Sequence, residues 1–84
     1  MIEKKLAACV NILAPCRSVY RWKGAVAREE EVIAVIKTSV DRYPALKVRL
    51  IELHPYDVPE LIALEVERGH APYLDWIGDS TAPA

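Results

Sequence analysis

Eighty-four residues make one small domain, and a chain of this size buries only about 60–65% of its unfolded surface, so its core is marginal. The net charge is −1, with no basic tract and no long apolar run; this argues against a nucleic-acid partner and against a bilayer span, which needs roughly 20 apolar residues. An apolar content of 52% is high for so short a chain and points to surface covered by a partner subunit.

Met1-Ile2-Glu3-Lys4-Lys5 followed by Leu6-Ala7-Ala8-Cys9 mimics a lipoprotein signal. A secretory segment needs about 7–15 apolar residues before its cleavage site, and here three of the five residues before Leu6 are charged. The expectation is a cytoplasmic chain with Cys9 and Cys16 reduced. The two cysteines lack a CxxC spacing, and with only His54 and His70 beside them they make no zinc motif.

Residues 6–13 are a short apolar run, predicted as a strand. Pro15 interrupts it. Residues 18–22 are β-prone, and Lys23-Gly24 suits a hairpin turn. Residues 31–38 are β-branched and nearly continuous, which predicts the strongest strand, buried on both faces or central in its sheet. A helix follows over 41–53: Asp41 can cap it, Pro44 suits its first turn, and Tyr43, Leu46, Leu50 and Leu53 form one stripe.

Leu53-His54-Pro55-Tyr56-Asp57-Val58-Pro59-Glu60 is the most informative stretch. Proline lacks an N–H and disfavours a helical conformation in the residue before it, so the helix should end near His54. The loop then presents an imidazole, a phenol and two carboxylates at a fixed turn, where binding chemistry commonly lives. Residues 60–67 are predicted as another strand, stopped by Arg68-Gly69. Residues 72–77 are predicted as a short helical turn carrying Tyr73 and Trp76. Residues 79–84 are expected to be a flexible tail behind a single domain of residues 1–78. Strands and helices in this order give an α+β sandwich, an antiparallel sheet with helices on one face.

Several blocks now stand in a definite order: Ala8-Cys9-Val10-Asn11-Ile12, Ser18-Val19-Tyr20-x-Trp22-x-Gly24, Ile36-Lys37-Thr38, His54-Pro55-Tyr56-x-Val58-Pro59-Glu60 and Gly69-x-x-x-Tyr73-Leu74-x-Trp76-Ile77. Together they resemble the CutA divalent-cation-tolerance family over about residues 5 to 78. The resemblance implies a ferredoxin-like, PII-like fold assembled as a homotrimer. It implies clefts between subunits, lined by the loop around His54, by the strand lysine Lys37 and by aromatics. It implies a part in tolerance of copper and other divalent ions, with no agreed enzymatic reaction. Family members carry a first strand and most of a helix ahead of Leu6-Ala7-Ala8-Cys9, so the first strand is expected to be missing here. Ile2 to Leu6 then read as the last turn of that helix, with lysines suited to its carbonyl end. The family's Leu-Pro is Leu64-Glu65 here, and of a His-His pair sometimes ascribed to metal binding only His54 carries over.

Each candidate has two readings. His54 binds a divalent ion, copper(II) among them, or a small anionic ligand, or it caps the preceding helix. With one such histidine any metal should bind weakly, and none is required. Lys37 is an anion partner in the cleft, or it snorkels to solvent. Glu60 with His54 offers two metal ligands, too few without a neighbouring subunit. Tyr56 and Tyr20 are placed in the cleft. Trp22, Tyr73 and Trp76 are placed at the trimer interface, where aromatics dominate. The main expectation is a non-enzymatic homotrimer with no nucleic-acid or membrane partner. The alternative is an enzyme using His54 and Lys37, although no nucleophile–base set is visible.

Overall fold

Two residues with positive φ organise the first half of the chain. The computed structural model describes residues 2–54 and 60–83. Lys23 (φ 50) and Gly24 (φ 79) link strands that become β2 (Cys16–Trp22) and β3 (Ala25–Glu31). A two-residue loop with both φ positive matches the right-handed twist of the strands it joins. The hairpin therefore falls where the sequence predicts it, with Tyr20 opposite Ala27 and Trp22 opposite Ala25. Cys16, Ser18 and Tyr20 share the more covered face, while Arg17, Val19 and Arg21 are exposed.

The second sheet pairs β1 (Cys9–Ile12) with β4 (Ala34–Lys37), antiparallel, with Cys9 opposite Lys37. The run 31–38, expected as one strand buried on both faces or central in its sheet, is divided. Glu31 ends β3, Ala34 begins β4, and Val32, Ile33 and Val35 are exposed. The apolar run is long enough to serve two sheets, and the chain crosses between them at 32–33. Pairing outlasts the strand limits, because Ala8 N–H donates to the Lys37 carbonyl (2.8 Å) and Leu13 N–H to that of Ile33 (2.9 Å).

The small core lies where the start of the chain meets the end of β4. Thr38 Oγ1 donates to the Leu6 carbonyl at 2.7 Å. Residues 2–5 form a turn closed by Lys5 N–H on the Ile2 carbonyl, and Lys5 has φ 59. Helices commonly end in this left-handed geometry, and a basic side chain can satisfy their last carbonyls. Arg42 does so: its guanidinium donates to the carbonyls of Lys4 (3.4 Å) and Lys5 (3.3 Å). Leu6, Ala7 and Leu46 are buried.

Helix α1 (Tyr43–Leu53) begins two residues later than expected, and Asp41 does not cap it. The N–H groups of Arg42 and Tyr43 instead donate to the Ser39 carbonyl, so a preceding turn does the work of a cap. At the other end His54 is extended (φ −79, ψ 136) and its N–H reaches the Leu50 carbonyl at 3.0 Å. The helix stops where the constraint from Pro55 predicts.

Helix α2 (Ala71–Thr81) is longer than the turn predicted over 72–77 and runs three residues into the expected tail. Its last residue explains the extension. Thr81 is 0% exposed; its Oγ1 donates to the Ile77 carbonyl (2.8 Å) and lies 3.0 Å from Ser39 Oγ. Small polar residues after Gly78 suggest fraying, but a buried hydroxyl with two partners ties the end down. Thr81→Val should therefore cost about 1–3 kcal/mol, since it strands the Ser39 hydroxyl beside an apolar group. Urea unfolding of the two proteins measures this; a loss below about 0.5 kcal/mol would show that the contact is incidental.

Residues 60–67, predicted as a strand, pair with nothing among the described residues. The alternation is present: Ile62, Leu64 and Val66 share one parity and are exposed, Leu64 at 89%. A strand exists only as one side of a ladder, and neither sheet among the described residues takes that segment as a neighbour. The accessible surface of 7111 Å² is large for 9.4 kDa, against about 5,000 Å² for a compact monomer. The radius of gyration, 15.1 Å, likewise exceeds the roughly 12 Å of a compact chain this long.

Candidate functional site

Lys37 ends β4 and is half-buried. The ladder to Cys9 and the bond from Ala8 fix its backbone. Thr81 docks the far end of α2 on Ser39, two residues further along. Tyr73 lies eight positions before Thr81, about 12 Å back along the helix axis. Lys37 Nζ lies 5.9 Å from the centroid of the Tyr73 ring. Tyr73 and Trp76 stand three apart on α2 and so share a face. Their centroids are 5.7 Å apart and their planes are tilted by 31°. Both rings are well exposed, at 41% and 46%.

The fold thus joins a residue expected in the cleft, Lys37, with two expected at the subunit interface, Tyr73 and Trp76. Nothing in the sequence signals this pairing, because it depends on how α2 docks. At about 6 Å the cation–π contact is at the outer edge of its useful range. An ammonium has three N–H donors and no acceptor. Among the described residues no carboxylate lies within 4 Å of Lys37; Arg49 and Glu52 form an exposed ion pair elsewhere, on α1. The arrangement can offer a positive charge beside a flat apolar surface.

The other candidates are dispersed. Tyr20 and Trp22 lie on the hairpin, in a different sheet from Lys37. His54 and Glu60 are exposed and flank the stretch 55–59. Tyr56 falls in that stretch, outside the described residues. Cys16, just ahead of the stretch predicted as β-prone over 18–22, opens β2 opposite Glu31, and both cysteines are free and half-buried. Among the described residues no group of three or more His, Cys, Asp or Glu could hold a metal ion. His54 and Glu60 of one chain do not make up a metal centre, since two ligands hold a divalent ion weakly. No described helix is long and apolar enough to cross a membrane.

Comparison with known proteins identifies the family and the fold. The family model of the CutA1 divalent ion tolerance protein matches residues 1–80. The chain is 44% identical over 81 residues to the divalent-cation tolerance protein CutA of Thermus thermophilus, covering 96% of this chain and 79% of that one. It is 44% identical over 79 residues to the CutA homolog of Xenopus laevis, covering 94% of this chain, but spans only 52% of that protein. The solved T. thermophilus structure superposes with a TM-score of 0.92, covering 96% of this chain and 79% of that one. The PII-like protein CutA from Nostoc, in apo form, superposes with a TM-score of 0.91 at 38% identity, covering 99% of this chain and 81% of that one. The ferredoxin-like α+β fold expected from the sequence is the fold these proteins share. A match along almost the whole length, in sequence and in backbone alike, means that the chain belongs to the CutA1 divalent ion tolerance family.

Proposed function

We propose that this chain acts as a homotrimer in divalent-cation tolerance, without catalysing a reaction, and binds its ligand in clefts between subunits. The match to the divalent ion tolerance family over residues 1–80 carries this reading. The extended shape and the exposed apolar segment 62–66 support assembly. Lys37, with no carboxylate near it among the described residues, suits a ligand-facing role. Trp22, nearly half exposed at the tip of a hairpin, suits contact with a neighbouring chain.

Metal binding under this reading is weak and uses few groups of each chain. Imidazole favours copper among divalent ions, but affinity rises with ligand number and geometry. One chain supplies His54, and Glu60 follows six positions later in the sequence. Isothermal titration with copper(II) should give a weak isotherm that His54→Ala abolishes. Tight binding that survives in His54→Ala would remove His54 from the site and direct attention to Cys16 and His70.

A further inference from the structure

Lys37, Tyr73 and Trp76 present two kinds of surface side by side. One is the ammonium of a half-buried lysine anchored by a strand end, with spare donors and no carboxylate within 4 Å among the described residues. The other is a pair of neighbouring rings, open to solvent over more than a third of their surface. Exposed aromatic rings at fixed geometry lose little conformational freedom when something flat is laid on them. A charge at the edge of such a platform completes a site for an anion that carries a ring.

We propose that Lys37, Tyr73 and Trp76 form a binding site for a planar aromatic carboxylate, an inference that rests on Lys37 being a ligand contact. The carboxylate accepts from the Lys37 ammonium, and the ring of the ligand packs on Tyr73 and Trp76. Charge count favours a monoanion over a phosphate. One ammonium balances one carboxylate, whereas phosphate sites add backbone N–H groups at a helix start. The start of α2 has few to add, since the N–H groups of Tyr73 and Leu74 both donate to the His70 carbonyl. The ring pair supplies what a bare lysine lacks, a preference for aromatic over aliphatic acids.

The test is titration calorimetry on the full chain with 2-naphthoate, 2-naphthamide and cyclohexanecarboxylate. Wild type should bind 2-naphthoate at least about tenfold more tightly than 2-naphthamide, the loss expected for one charge-assisted hydrogen bond. Cyclohexanecarboxylate should also bind more weakly. Lys37→Met and Trp76→Leu should each lose about tenfold for 2-naphthoate, and Lys37→Arg should recover most of it. Because the three ligands are compared on the unaltered protein, a variant that fails to fold does not spoil the result. Equal binding of the acid and the amide would overturn the proposal, as would unchanged binding in a folded Lys37→Met. The outcome is separable from the metal reading: 2-naphthoate binding without any copper(II) isotherm sinks that reading alone. A copper isotherm dependent on His54, with no 2-naphthoate binding, sinks this proposal alone.

Discussion

At micromolar concentration this chain should sediment as three chains, and Trp22→Ala should loosen the assembly more than Tyr73→Ala. The first half of the prediction rests on area. The chain exposes roughly 2,000 Å² more than a compact monomer of its mass. Obligate subunit interfaces bury areas of that order, about 2,000–5,000 Å² in total, so three such chains have enough uncovered surface to hold together. The second half rests on position. Trp22 closes a hairpin whose packing is chiefly strand on strand, and a two-stranded hairpin alone is marginal in water. A hairpin of this kind is stable when its side chains are seated on something else, and the aromatic at its tip is the natural anchor. Tyr73, by contrast, already has neighbours within its own chain, Lys37 and Trp76. Truncating a buried interface tryptophan costs about 2 kcal/mol or more; the tyrosine should cost less. Sedimentation equilibrium over a concentration series decides it. A clean monomer in wild type, or a larger loss for Tyr73→Ala, would contradict the argument.

What the sequence made legible follows from how local each signal is. The hairpin turn was readable because two adjacent residues that tolerate positive φ are a local requirement. The helix stop at His54 was readable because proline acts on the residue directly before it. The family blocks were readable because their order and spacing are specific, and they carried both the fold and the family. The errors fall where a distant partner decides. The run 31–38 looked like one strand because β-branched residues score alike in either sheet, and only the pairing shows the break at 32–33. Residues 60–67 have the alternation of a strand but no ladder among the described residues. The end of α2 looked like a tail because composition does not reveal that Ser39 lies beside Thr81. At the candidate site, Lys37 and the aromatics were each singled out, but their meeting depends on the docking of α2. Tyr56, expected in the cleft, lies outside the described residues.

Leu46→Ala should be the most damaging single truncation along α1, at about 2–5 kcal/mol, while Leu53→Ala should stay within about 0.5 kcal/mol. The sequence offers Tyr43, Leu46, Leu50 and Leu53 as one stripe with equal claims. The structure ranks them. Leu46 is 3% exposed and shares the core with Leu6 and Ala7. Tyr43 and Leu50 are half-buried, and Leu53 is exposed beside the helix end. The cost of removing a buried leucine includes the cavity it leaves, and that cavity relaxes only if neighbours can move in. Here they cannot move freely. The segment carrying Leu6 and Ala7 is pinned by Thr38 on the Leu6 carbonyl, by Arg42 on Lys4 and Lys5, and by the Ala8–Lys37 bond. The loss should therefore sit toward the upper end of the range. Urea unfolding must be compared at one protein concentration, because the apparent stability of an oligomer depends on it. Equal losses for Leu46→Ala and Leu53→Ala would mean that subunit contacts bury the stripe evenly, and that the core between the chain's start and α1 is not what holds this helix in place.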